Sequence, residues 1–268
     1  MEPALKAFWL PKKGNSTEEY EDASAHSARL IAIADGATES AFADRWAQGL
    51  VKRFVESPPA GNTPSSLLLE NWLSPLQKEW HKSIAWDKLP WYAEEKARSG
   101  AFAAFLGVRL MGEEAQPTPA PQKFSLWNFF FPKKKSIRII SPRWQAVAVG
   151  DSNLFLVRGD ALVKSFPIER SEQFDSRPLL LSSNPSKNRP VWQRVQMTEG
   201  DCDSGDVMML MTDALAAWFL KRHEAGEKPW KILGELRSNQ EFSDFIDQQR
   251  TNTSMRNDDV TLVISNWK

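Results

Sequence analysis

Residues 30–40 read LIAIADGATES, and this stretch constrains the fold of the chain more than any other. The short apolar run from Leu30 to Ala34 reads as a buried strand. Asp35 and Gly36 close it, and a helical pattern follows at once. A strand held rigid in a core fixes the carboxylate at its end. A glycine there lets the backbone turn sharply and leaves its carbonyl open to a ligand. Asp-Gly is equally an ordinary turn dipeptide, so a turn and a working site both remain open at this point.

The pattern around this stretch is a strand, two or three helices, then strands again. Phe42, Trp46, Leu50 and Phe54 recur every four residues, with Ala43, Ala47 and Val51 beside them. That spacing gives an amphipathic helix, with Thr38 or Ser40 placed to cap its start and Pro58-Pro59 to stop it. Further helical patterns cover 65–84 and 91–98, and a first short strand is expected at Phe8 to Leu10. Residues 100–111 are apolar and strand-like. Residues 146–149 read as a strand ending in the turn Gly150-Asp151-Ser152, with 154–157 as its hairpin partner. After the turn Arg158-Gly159-Asp160 a strand covers 161–166. Residues 207–211 give a second apolar strand with a carboxylate at its end, running through Thr212-Asp213 into a helix at 214–222. Asn257-Asp258-Asp259 precedes a last strand at 260–264.

Composition narrows the function classes. Lys and Arg together number 34, as do Asp and Glu, so no global field draws the chain to nucleic acid or an anionic membrane. Hydrophobic residues make up 41%, enough for a sizeable core. Cys202 is the single cysteine. It excludes an internal disulfide and a Cys-rich zinc site, fits a reducing compartment, and reads as a bystander. The N-terminal residues lack a secretory pattern, and no run nears the roughly 18 apolar residues of a transmembrane segment. The expectation is a cytoplasmic protein with one domain over 1–268, carrying a surface insertion at 112–136. The insertion begins Pro-rich and continues, between Phe124 and Lys135, as an aromatic run followed by three lysines. It reads either as a plain surface insertion whose rings fold back on the body, or as a patch for a docking partner or a membrane surface.

Four places set acids beside buried strands: Glu21/Asp22, Asp35, Asp213 and Asp258/Asp259. Carboxylates gathered in one cleft repel one another and are costly to bury, and cations resolve that conflict. Oxygen donors without His or Cys suit Mg²⁺ or Mn²⁺ rather than zinc. His26, His81 and His223 stand isolated. The acids of 201–206 do not make a calcium loop, because the glycine is misplaced and no Glu closes it. Neither a nucleophile elbow nor a Walker loop is present.

The segments Glu21-Asp22-Ala23, IAIADGATES, AVAVGDSNLFLV, GDVMMLMTDALAAWF and NDDVTLVIS occur in this order along the chain. Together the set resembles the metal-dependent protein phosphatases of type 2C. The resemblance implies an α+β fold: a β-sandwich of two antiparallel sheets flanked by helices, in four layers (αββα). It implies a centre of two Mn²⁺ or Mg²⁺ ions at one edge of the sandwich, hydrolysing phosphoserine and phosphothreonine in a phosphorylated protein substrate. By this resemblance Asp35 bridges both ions, the Gly36 carbonyl binds the second, and Asp213 and Asp258 bind the first. Glu21 and Asp22 hold metal-bound waters, and Asp259 stands in the family's Asn position.

The departures from the family pattern are specific. Thr17 stands where an arginine commonly binds substrate phosphate, with Lys12 or Lys13 as substitutes. Ala-Thr-Glu-Ser follows Asp35-Gly36, so a general acid expected there is missing. Ala217 stands where an acid would pair with Asp151 in a third metal site, which leaves Asp151 as a turn residue and the third site doubtful. These changes support a rival reading, a catalytically weak phosphatase-fold module with a regulatory or binding role.

Overall fold

The computed structural model describes residues 4–59, 66–111, 143–174 and 177–267. The proposed insertion at 112–136 lies outside them. Two antiparallel sheets pack face to face with helices on both outer faces, as the resemblance implies. The first sheet has the order β1 (Ala4–Leu10), β11 (Val260–Asn266), β10 (Val207–Met211), β6 (Asn153–Arg158), β7 (Ala161–Phe166). The second has the order β2 (Ala23–His26), β3 (Leu30–Gly36), β4 (Phe102–Met111), β5 (Arg143–Val149), β9 (Gln196–Asp201), with β8 (Leu181–Ser182) also pairing β4. Helices α1 (Ala43–Glu56), α2 (Ser66–Ser83) and α3 (Trp91–Ser99) precede β4 in the chain. Helices α4 (Asp213–Glu224), α5 (Pro229–Glu235) and α6 (Asn239–Thr251) lie between β10 and β11.

Side-chain alternation explains the four layers. In β3, Ile31 and Ile33 point into the sandwich with Leu106, Val108, Leu154, Met208, Leu210 and Val263. Ala32 and Ala34 point the other way, toward Trp46, Leu50 and Phe54 of α1. Small residues there let the helix come close. Gly107 pairs with Ala32, and a Cβ on it would meet the Phe54 ring at 2.7 Å. On the other sheet Met209, Met211, Leu262 and Ile264 face outward to Phe219, Phe242 and Ile246. Strands buried on both faces read as continuous apolar runs, which is why 30–34 and 207–211 carry no alternation.

Three local expectations are corrected. The strand at 154–157 is not the hairpin partner of 146–149: β5 and β6 belong to different sheets. Gly150, at φ +92°, carries the chain across, and a Cβ there would lie 2.6 Å from that of Ala104. Both strands are buried, so their sequence holds no sign of the crossing. Neither Thr38 nor Ser40 caps α1, whose N-cap residue is Phe42 in the left-handed region. The Ser40 hydroxyl instead donates to the Ala37 carbonyl and accepts the Phe102 N–H, bracing the chain after β3. Gly36 is not a turn residue. It pairs with Ala103 as the last residue of β3, and a Cβ on it would sit 2.6 Å from the Glu21 carbonyl oxygen. Close approach of the Glu21 backbone demands the glycine.

Candidate metal centre

Asp35 is the next-to-last residue of β3, Asp151 sits just past β5 where the chain crosses between sheets, and Asp213 opens α4. One carboxylate oxygen from each lies within 4.8 Å of the other two. The fold therefore brings one acid from a strand, one from the crossing between sheets and one from the start of a helix to a common point. Asp151, expected only to shape a turn, joins this cluster. The first turn of α4 also favours the negative charge of Asp213 through the helix dipole.

Glu21 and Asp22 approach from the segment before β2. Asp22 is 2% exposed, and its Oδ2 accepts the Thr261 hydroxyl at 2.8 Å. The Thr261 proton is committed there, so the Tyr20 hydroxyl donates to Thr261 in turn. The Thr261 N–H is held by the Thr212 hydroxyl at 2.9 Å, tying this relay to the residue before Asp213. Asp259 accepts the backbone N–H groups of Lys12 (2.8 Å) and Glu21 (2.7 Å). It fastens the Glu21 segment to the start of β11. Lys12 then places its ammonium 3.2 Å from the Thr38 hydroxyl, where its charge favours ionised Glu21. Lys13 meets Asn257 through its backbone. Of the two lysines, Lys12 is the one whose ammonium is seen at the rim.

Asp258 reaches the cluster through its field and through a shared cation. Its charge raises the carboxyls of both Asp35 and Asp213. Its Oδ2 lies 3.0 Å from Arg256 Nη2, and the same nitrogen bonds Asp213 Oδ2. Buried Arg250 donates to the carbonyls of Pro11 and Asp258 and pins the loop before β11. Arg250 and Arg256 were not among the sequence candidates. Arg250 had a signal, because Phe242, Ile246 and Arg250 form a buried stripe at four-residue spacing on α6.

Electrostatics sets the character of the site. The Asp35 carboxyl is pushed well above the ordinary aspartate range, first by burial and then by Asp22, Asp213, Asp151 and Asp258 in turn. Asp22 rises well above it too, by burial and then by Asp259. Burial likewise raises Glu21 and Asp213. Buried polar atoms normally find partners, yet Glu21 Oε2, Asp22 Oδ1 and Asp213 Oδ1 have none. Orphaned buried oxygens among mutually repelling carboxylates, with no imidazole or thiolate among them, fit hard divalent cations.

A pH dependence follows. Between the ordinary aspartate value and the raised ones, the folded chain binds more protons than the unfolded chain, so metal-free stability falls as pH rises through that window. Asp160, held down at about 2 mainly by Lys228, acts at lower pH. In chelator the melting temperature is expected to fall from pH 5 to pH 8, and the stabilisation given by Mg²⁺ to grow over the same range. An Mg²⁺ shift equal at both pH values would contradict the assignment of these acids.

No protein-family model matches the sequence, and no curated protein matches it by sequence. Solved structures match the fold along its whole length. The Mycobacterium tuberculosis serine/threonine phosphatase PstP/Ppp superimposes with a TM-score of 0.60 at 14% identity, over 100% of both chains. A catalytic domain of PstP in complex with two manganese ions gives 0.58 at 14%, over 99% of this chain and 98% of that one. Stp1 of Staphylococcus aureus gives 0.58 at 12%, over 100% and 96%. The chain has the fold of the metal-dependent type 2C protein phosphatases.

Proposed function

We propose that this protein is a metal-dependent phosphatase acting on phosphoserine or phosphothreonine in proteins. The observation that carries the reading is the convergence of Asp35, Asp151 and Asp213 within 4.8 Å at the sandwich edge. The manganese complex of PstP, on the same fold, supports the choice of cation. Asp35, Asp151 and Asp213 would hold the ions, with Asp258 and the Gly36 carbonyl as further ligands and Glu21 and Asp22 holding their waters. Two such ions supply a water nucleophile of lowered pKa and a clamp on the phosphoryl oxygens.

The chain's own residues have distinct tasks. The Tyr20–Thr261 relay fixes the carboxylate of Asp22 in orientation. Lys12 offers an ammonium at the rim for an anionic substrate. The Cys202 thiol is fully buried and pushed up to about 12 by that burial, leaving it unreactive. Among the described residues no helix is long and apolar enough to cross a membrane.

The substrate class is tested with phosphothreonine, phosphoserine and phosphotyrosine peptides in Mn²⁺. Release of phosphate from the first two at least about tenfold faster than from the third is expected. Equal rates on all three would remove the serine/threonine assignment. The rival reading, a regulatory module of little turnover, gains one structural observation beside the sequence departures: Arg256 already pairs with Asp213 and Asp258.

A further inference from the structure

Arg256 places its guanidinium on two acids of the centre, Asp213 and Asp258. One nitrogen, Nη2, bonds Asp213 Oδ2 and lies 3.0 Å from Asp258 Oδ2, so a single +1 group bridges acids from two elements. Asp213 is 13% exposed in its side chain, whereas Arg256 is 53% exposed. The acid is therefore fixed and the base is free to leave. It lines a cavity of about 830 Å³ together with Asp213, Trp218 and Lys221, which gives the guanidinium room to move without unfolding anything. The other oxygen of Asp213, Oδ1, has no partner. Only one side of Asp213 is thus neutralised, the side it shares with Asp258.

We infer that Arg256 is a built-in competitor of the divalent cation, occupying the Asp213–Asp258 side of the centre and leaving it when a cation is seated. The inference rests on the cation centre proposed above. A hydrogen bond between charged groups is worth enough that giving it up lowers cation affinity by at least about tenfold. The exchange also limits the harm of the metal-free state, because the guanidinium shields two acids that would otherwise repel at full strength.

The test is an Mn²⁺ titration of the chelator-treated full chain, read by calorimetry and by the Mn²⁺-induced shift in melting temperature. Wild type is compared with Arg256→Gln, Arg256→Lys, and Arg256→Gln combined with Asp258→Asn. Arg256→Gln is expected to bind Mn²⁺ at least about tenfold more tightly and to gain a larger thermal shift. The lysine variant, which keeps the charge, should stay near wild type. Adding Asp258→Asn should shrink the gain, since one of the two acids that Arg256 had occupied is gone. Equal or weaker Mn²⁺ binding in Arg256→Gln, beside a wild type that does bind the ion, overturns the inference and leaves the cation centre standing. Absence of Mn²⁺ binding in every variant removes both.

Discussion

Asp35→Asn is expected to lower metal-dependent phosphate release by at least about a hundredfold, because Asp35 stands at the electrostatic centre of the site. Burial and four other acids act on this one carboxyl, so a cation entering the cluster gains more from Asp35 than from any peripheral acid. Folding should be spared. The amide keeps the shape of the side chain, and removing a charge from a repelling cluster favours the metal-free fold. The expected pattern is therefore a chelator-treated variant that melts no lower than wild type and hydrolyses an aryl phosphate poorly at any Mn²⁺ concentration. A variant with wild-type turnover would show that the cluster is not the reaction site.

Trp46→Ala is expected to cost about 3–5 kcal/mol of stability, the range for removing a fully buried tryptophan. Trp46 is 0% exposed and packs α1 against the small residues of β3. Its indole N–H donates to the Leu181 carbonyl at 2.9 Å, which ties α1 to the short strand β8. The alanine variant loses the ring volume and leaves that carbonyl without its donor. Against a total stability of roughly 5–15 kcal/mol, a loss of this size shifts the urea midpoint by a large fraction of its value. Trp46→Phe keeps most of the volume and should cost only about 1–3 kcal/mol, the penalty for an unpaired buried acceptor. If both variants unfold at the wild-type midpoint, α1 does not brace the strand that carries Asp35.

What the sequence shows of this site depends on whether a residue's role is local. Asp35 and Asp213 are legible because each stands where an apolar strand gives way to a helix, and both features lie within a dozen residues. The fold follows from the same strands, since their order and the helices between them fit a sandwich. Asp151 is harder. Its Gly-Asp-Ser setting reads equally as a hairpin turn, and only the passage of the chain from one sheet to the other brings it to Asp35. Arg256 and Asp213 are 43 positions apart, and the linking contact exists only after α4, α5 and α6 are packed. The strand β9, QMTEGD, lacks apolar alternation because none of its residues is buried, at the end of its sheet beside β5. Its exposed Met197 and Glu199 look like loop residues. Gly36 is a different case: its identity is evident, but its cause, contact with the Glu21 backbone, is tertiary.

Asp259 is visible in the sequence as an acid before the last strand, but its work is not. In sequence it stands beside Asp258 as a second acid. In the fold both its oxygens are taken by backbone N–H groups of Lys12 and Glu21, so it holds the segment carrying Glu21 and Asp22 rather than facing the cluster. Asp258, its neighbour, turns toward Arg256 instead. Two adjacent carboxylates thus serve two different purposes, a division set by the strand alternation entering β11.

The central claim is that these carboxylates form a metal-dependent phosphomonoester hydrolysis centre. Its most direct test is hydrolysis of a small aryl phosphate in Mn²⁺, in Mg²⁺ and in excess chelator, for wild type beside Asp213→Ala. Turnover that needs the cation and falls at least about a hundredfold in the variant is the predicted result. Turnover that persists in chelator, or that Asp213→Ala leaves intact, would contradict it.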